Sequence, residues 1–259
     1  MTERIIARRE GAIGWLVFNN PERRNAVSLE MWEAIPQVLA GFGADDAIRA
    51  VVLTGTGDKA FVSGADISQF EKERSSAEAV AHYDAVGEKA QTALKMFDKP
   101  VIAMIRGYCI GGGLNVANLC DLRIAADDAR FGIPAAKMGL GYRASSMQKL
   151  VDTVGAPFAR EIMITARHFD AAEALRMGLV HHVVAVSELE PFTKKFCDDI
   201  AANAPLTMRA AKRIIREVSK KDYDAAACDA WVKECFASED YAEGRRAFME
   251  KRKPQFRGR

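Results

Sequence analysis

Three consecutive glycines, Gly111–Gly113, mark the part of this sequence with the clearest chemical use. The apolar run 101–105 precedes them, and Leu114, Ala117 and Leu119 follow at helical spacing, which predicts a strand, a glycine turn and a helix. Glycines at a helix start leave the unpaired amides of the first turn open to a ligand oxygen. The turn therefore predicts a main-chain site that favours negative charge, with close backbone packing and no ligand as the alternative.

A second glycine-bearing loop of small residues, 55–67, follows the buried-strand pattern of residues 49–54. A long amphipathic helix predicted over 75–97 separates this loop from the strand at 101–105. Strand, helix and strand in succession predict a parallel sheet with crossover helices, and ligands of such sheets bind at the carboxyl ends of the strands. Both glycine loops are expected at that end.

The remaining elements follow from periodicity, capping and breaker residues. They are a hairpin at 5–8 and 15–18, a helix from Ser28 toward Gly41, a strand at 122–126, a strand remnant and loop at 131–142, a helix from Ser145 or Ser146 to Val154, a capping-box helix from Asp170 with a stop at Gly178, an extended segment at 179–184, and helices near 188–202, 205–218, 222–237 and 241–251. The pattern predicts a core over 1–200 and a helical oligomerisation region over 201–259, because the last helices are too thin to hold a large core.

Composition excludes several classes of function. A formal net charge of +2 with 28% charged residues gives no reason to expect a nucleic-acid or membrane partner, and the basic tail lacks an aromatic platform for bases. Five cysteines without C-x-x-C spacing argue against a disulfide framework or zinc site. His181 and His182 point to opposite faces of an extended chain, so no metal is expected. Without an apolar leader or membrane-length run, the sequence predicts a cytoplasmic protein.

Five motifs taken together resemble the crotonase (enoyl-CoA hydratase/isomerase) superfamily. They are residues 61–67, 107–121, 131–140, 170–180 and 248–252. The resemblance implies an α/β fold, with a repeated ββα spiral core of the ClpP-like type and a helical C-terminal trimerisation region. It also implies a homotrimer or homohexamer that binds an acyl-CoA substrate, with coenzyme A as part of the thioester and no tightly bound cofactor.

The resemblance also assigns roles to individual residues. By position, the main-chain amides of Ala65 and Gly112 form the oxyanion hole for the thioester carbonyl. The residues that match coenzyme A contacts of the family are Arg24, Ala26, Ser63, Asp66, Ile67 and Gly111, together with Phe248 and Lys251 brought by a neighbouring subunit, for which an ordinary amphipathic terminal helix is the alternative.

Two positions depart from the family pattern. Hydratases of this family hold water between two glutamates, but Asn115 and Ala135 occupy those positions, and neither side chain exchanges a proton near neutral pH. Tyr142 matches a tyrosine of the methylmalonyl-CoA decarboxylase branch. That branch has a histidine at the position of Ala65, so the match is partial. Arg143, next to Tyr142, could attract a carboxylate of the substrate. Three hypotheses follow: a family enzyme that stabilises a thioester enolate, a decarboxylase of a malonyl-type thioester, and a catalytically silent acyl-CoA binder.

Overall fold

The computed structural model of the protein describes residues 2–66 and 76–259. Within these ranges, the strands are β1 (Ile5–Glu10), β2 (Ile13–Phe18), β3 (Ala50–Gly55), β4 (Ala60–Val62), β5 (Val101–Ile105), β6 (Tyr108–Ile110), β7 (Leu122–Ala126), β8 (Arg130–Gly132), β9 (Phe169–Asp170) and β10 (His182–Val184). The helices are α1 (Leu29–Ala44), α2 (Ala77–Met96), α3 (Gly112–Leu119), α4 (Ala144–Thr165), α5 (Ala171–Arg176), α6 (Leu189–Ala201), α7 (Pro205–Val218), α8 (Ala225–Phe236) and α9 (Glu239–Met249).

From β3 to β8, successive strands alternate between two sheets. One sheet has the order β1-β2-β3-β5-β7-β10, and the other has the order β4-β6-β8-β9. The pairs β3–β5, β5–β7, β4–β6 and β6–β8 are all parallel. Each unit of two strands and a helix therefore advances both sheets by one strand, which is the ββα spiral that the family resemblance implied.

The inner strands of the larger sheet, β2, β3, β5 and β7, are buried on both faces. Leu16 and Phe18 of β2 pack into a core with α1. The alternate residues Trp15 and Val17 pack into a second cluster, which includes residues of α6. Successive side chains of a strand point to opposite faces, so a strand covered on both faces must be apolar throughout, as β2 is. This arrangement fixes the strand ends at which the glycine loops emerge.

Most predicted elements are confirmed, and their capping chemistry is visible. Ser76 caps α2 by accepting a hydrogen bond from the Ala79 amide, and Asp170 forms a reciprocal capping box with Glu173. Three predictions were incomplete. The three-residue strand β4 lies inside the predicted loop 55–67. The three-residue strand β6 separates β5 from the glycine turn, and α4 continues past the predicted end at Val154 to Thr165 after a kink at Gly155, where φ is 73°.

The C-terminal helices are held to the core mainly by polar contacts. Lys212 of α7 donates to an Asp121 carboxylate oxygen at 2.6 Å, and Arg213 forms an ion pair with Asp98. Large apolar side chains on these helices remain exposed, including Phe236 (60%) and Phe248 (82%). The boundary predicted near residue 200 stays a prediction. Among the described residues, no helix combines the length and the apolar character needed to cross a bilayer.

Candidate active site

The two glycine loops meet at the carboxyl ends of β4 and β6. A Cβ atom built on Gly113 would lie 2.0 Å from the carbonyl oxygen of Val62, so no larger residue fits where α3 starts against β4. A Cβ built on Gly112 would lie 3.7 Å from the main-chain nitrogen of Ala65. The structure therefore brings the two predicted oxyanion residues together, and it does so by direct contact of main chains.

Both amides are directed away from the surrounding hydrogen-bond network. Val27 forms a parallel bridge with Ala65, in which the Val27 amide donates to Gly64 O at 2.8 Å and the Asp66 amide donates to Val27 O at 3.1 Å. In such a bridge the N–H of the central residue, Ala65, points to the opposite side. Gly112 is the first residue of α3, so its N–H has no acceptor within the helix. The two main-chain amides therefore belong to residues that lie close together, and neither amide donates within its own bridge or helix.

Four of the predicted coenzyme A residues, Arg24, Ala26, Ser63 and Asp66, belong to the two segments that the bridge between Val27 and Ala65 joins. The Ser63 amide donates to Arg24 O at 3.1 Å, and the Arg24 guanidinium carbon lies 5.1 Å from the centre of the Tyr108 ring. Ala26 and Asp66 are both buried. Gly111 precedes α3 with a φ of 55°. The predicted contact residue Ile67 lies outside the described residues.

An asparagine pair that sequence reasoning missed holds this loop. The Asn25 side-chain amide donates to Thr56 O at 3.0 Å and to Ala60 O at 2.8 Å, and its oxygen accepts from the Asn20 amide. Asn25 is fully buried and has a φ of 57°, a conformation that asparagine tolerates better than most residues. The signal available was the Asn-rich turn composition at 19–25, but its partners are more than 30 residues away.

Asn115 of α3 and Tyr142, which precedes α4, are in hydrogen-bond contact. Asn115 Nδ2 donates to Tyr142 Oη at 3.0 Å and to Ser146 Oγ at 3.4 Å. Burial raises the pKa of Tyr142 to about 12, although the hydrogen bond from Asn115 acts in the opposite direction. Tyr142 is therefore a neutral hydroxyl over the physiological range.

The second departure from the family pattern, Ala135, is a buried methyl group in the 3-10 turn Pro134–Met138, with only 4% of the residue exposed. Arg143 forms an ion pair with Asp84 of α2, so its charge already has a partner. Asp84 is half-buried in this ion pair. The described residues also contain no cluster of three or more His, Cys, Asp or Glu suited to a metal ion.

Comparison with known proteins decides the family. A model described as Enoyl-CoA hydratase/isomerase matches residues 8–259. The chain belongs to this family. It is 36% identical over 251 residues to the short-chain-enoyl-CoA hydratase of Clostridium acetobutylicum, which covers 96% of this chain and 95% of that protein. It is 37% identical over 257 residues to the crotonyl-CoA hydratase of Syntrophomonas wolfei, with 98% of each chain covered.

Solved structures of this enoyl-CoA hydratase/isomerase family share the fold. An enoyl-CoA hydratase/carnithine racemase from Magnetospirillum magneticum matches with a TM-score of 0.93 and 36% identity, covering 100% of this chain and 97% of that one. A putative family protein from Hyphomonas neptunium matches with a TM-score of 0.94 and 35% identity, covering 99% and 98%. The crotonase fold expected from the sequence motifs is therefore confirmed.

Two predicted ligand residues of this family member, Phe248 and Lys251, lie at the C-terminal end of the chain, in and just after α9. Phe248 of α9 lines a cleft of about 810 Å³ together with Ile214 of α7 and Phe236 of α8. Lys251 follows α9 in a left-handed conformation, with a φ of 54°. The described contacts of Phe248 are thus with the C-terminal helices rather than with the glycine loops.

Proposed function

We propose that this chain is an acyl-CoA enzyme that binds the thioester carbonyl oxygen between the main-chain amides of Ala65 and Gly112 and stabilises the enolate formed from it. The observation that carries the proposal is the approach of Gly112 to Ala65, with both N–H groups turned away from the strand and helix hydrogen bonds. One preorganised donor of this kind contributes roughly 10²- to 10³-fold to kcat, because it binds charge that develops in the transition state.

Water addition to an enoyl thioester is the first reaction to test, because the curated relatives compared above are hydratases. Asn115 can hold a water molecule by hydrogen bonds but cannot take its proton, and Ala135 can do neither. A positioned acid or base is worth typically 10²–10⁴-fold, so slow hydration is expected from this chain.

Decarboxylation of a malonyl-type thioester is the second candidate. Loss of carbon dioxide creates the enolate without a base, so this reaction needs little beyond the two amides and a proton donor for the α carbon. The contact of Tyr142 Oη with Asn115 at 3.0 Å favours this candidate, because it holds a neutral hydroxyl near the acyl end of the site. A catalytically silent acyl-CoA binder is the remaining alternative.

The rest of the ligand is assigned by position. The residues proposed to contact coenzyme A are Arg24, Ala26, Ser63, Asp66, Gly111 and Ile67. Coenzyme A binds as part of the thioester substrate. Phe248 and Lys251 of a second copy are proposed to reach the same ligand. Exposure of Phe248 and Met249 (82% and 80%) supports a homotrimer or homohexamer, since apolar surface of this size favours a partner. A cytoplasmic location stays a prediction.

A substrate panel tests the proposal. The purified protein is incubated with crotonyl-CoA, malonyl-CoA and methylmalonyl-CoA, and the products are followed by mass spectrometry. Turnover of at least one thioester above the uncatalysed rate is expected. Binding with unchanged ligand would favour the silent binder, and the absence of both turnover and binding would overturn the assignment. Sedimentation of the same sample gives the oligomeric state.

A further inference from the structure

A single side-chain nitrogen joins two hydroxyl groups at the acyl end of the candidate site. Asn115 Nδ2 donates to Tyr142 Oη at 3.0 Å and to Ser146 Oγ at 3.4 Å, and all three residues are half-buried. Ser146 lies in the first turn of α4, whereas Asn115 lies in α3. The cluster therefore connects the two helices that border this end of the site.

Hydrogen-bond accounting shows what this cluster offers to a ligand. An amide nitrogen has two hydrogens, and here each of them points to one hydroxyl oxygen. Each hydroxyl is thereby an acceptor toward Asn115 and keeps its own hydrogen free to donate elsewhere. The 3.4 Å contact is long for a hydrogen bond, so the Ser146 hydroxyl can turn to a ligand at little cost.

The position of Asn115 on its helix places the cluster relative to the two amides. Residues three apart lie on the same face of a helix, and the Cα–Cβ bond tilts toward the helix N-terminus. The side chain of Asn115 therefore leans toward Gly112, within about one helical turn, or 5.4 Å, of the proposed carbonyl site. The part of an acyl group that lies at this distance from its carbonyl oxygen is the β carbon and its substituents.

We infer that Ser146 is a specificity-determining residue, which together with Tyr142 donates a hydrogen bond to an acceptor oxygen carried on the β carbon of the acyl group. The substrate class is an acyl-CoA with a carbonyl or carboxylate oxygen at this position, in preference to a saturated chain. The inference rests on the proposed function, because it takes the Ala65 and Gly112 amides as the carbonyl site. Ala135, the other position at which the family pattern has a glutamate, is a buried methyl group and adds no charge.

Ligand binding to three thioesters of similar size tests this inference. Acetoacetyl-CoA carries a ketone on the β carbon, malonyl-CoA carries a carboxylate, and butyryl-CoA carries no oxygen there. Affinities of the wild-type protein, Ser146→Ala and Ser145→Ala are measured by calorimetry, with the recovered ligand checked for turnover. Ser145 is the matched control, because it is the adjacent serine and is exposed.

The wild-type protein should bind at least one oxygenated thioester more tightly than butyryl-CoA. Ser146→Ala should reduce that preference about 3- to 10-fold, the usual worth of one hydrogen bond, and leave butyryl-CoA affinity unchanged. Ser145→Ala should have no effect. Whether the ketone or the carboxylate responds identifies the preferred acceptor.

Three other outcomes would overturn the assignment of Ser146. Equal affinity for all three thioesters would remove the specificity but leave the thioester site in place. An equal loss for butyryl-CoA in Ser146→Ala would indicate a structural role instead. Failure of the wild-type protein to bind any thioester would reject the proposed function itself, so the two failures are distinguishable.

Discussion

The two sides of the candidate site are built from different parts of the chain. The proposed carbonyl side consists of main-chain amides at Ala65 and Gly112, whereas the proposed acyl side consists of the side chains of Asn115, Tyr142 and Ser146. Main-chain donors are set by the fold and persist under almost any substitution other than proline. Side-chain groups change with each residue. A chain with this architecture can therefore keep the main-chain groups that bind a thioester while substitutions of side chains change the reaction.

Replacing Gly112 with proline should produce the largest loss of activity. Proline has no N–H, so the variant deletes one of the two donors, and proline is tolerated at the first position of a helix, where no intrahelical hydrogen bond is lost. We expect kcat for the preferred thioester to fall roughly 10²- to 10³-fold. Thermal unfolding followed by circular dichroism is the control for folding. Full activity in a folded variant would place the carbonyl elsewhere.

The contact between α3 and β4 predicts a loss of stability at the neighbouring glycine. A Cβ on Gly113 would lie 2.0 Å from Val62 O, which belongs to main chain and cannot turn aside. Gly113→Ala should therefore destabilise the protein by about 3 kcal/mol in urea unfolding. Gly41→Ala is the matched control, because Gly41 lies in α1 with no atom within 4 Å of its Cβ position, and it should stabilise by about 0.5–1 kcal/mol. Equal effects would contradict the proposed close contact.

The difference between main chain and side chain also explains what the sequence predicted. The glycine loops, the succession of strand, helix and strand, and the Asp170 capping box depend on local residue spacing, so the sequence could predict them, whereas the ββα order came from the family resemblance. Strand β6 could not be predicted in this way, because three residues give too little periodicity. The second half of α4 was missed because Gly155 and the proline that follows are the usual signals for a helix end.

Side-chain contacts between residues far apart in sequence could not be predicted, for a different reason. Asn25 bonds main-chain oxygens 31 and 35 positions away, and Ser146 approaches Asn115 across 31 positions. No local pattern encodes such distances. The Asp84 ion pair with Arg143 was missed in the same way, since Asp84 lies off the apolar stripe of α2. Family resemblance supplied the positions of Asn115 and Tyr142, but it did not supply their mutual contact.

Restoring carboxylates on the acyl side should give a gain of function. In the double variant Asn115→Glu and Ala135→Glu, two acids would flank a water molecule near the proposed carbonyl site. Hydration of crotonyl-CoA is expected to increase about 10²-fold, the lower end of acid-base contributions. Each single variant is a control, because one carboxylate alone lacks its partner. No gain in a folded double variant would show that the two replaced residues are not the main reason for slow hydration.

Replacing Tyr142 with phenylalanine should have a smaller effect, which concerns the free energy of unfolding at high pH. Burial raises the pKa of Tyr142 to about 12, whereas an unfolded tyrosine titrates near about 10. Between these values the folded state keeps a proton that the unfolded state has lost, so the stability contributed by the neutral phenol is complete below pH 10 and is lost as pH rises toward 12. The free energy of unfolding should therefore fall more steeply from pH 9 to 11 in the wild-type protein than in Tyr142→Phe.

The matched control for this substitution is Tyr223→Phe, which removes the same hydroxyl group from a tyrosine that is 52% exposed. Urea unfolding at each pH measures the difference. Parallel curves for the wild-type protein and Tyr142→Phe would mean that Tyr142 loses its proton as readily in the folded state as in the unfolded one. The acyl side would then carry a negative charge at high pH and would repel an enolate. A steeper wild-type curve instead supports a neutral, donating acyl side, which complements the charge held by the two amides.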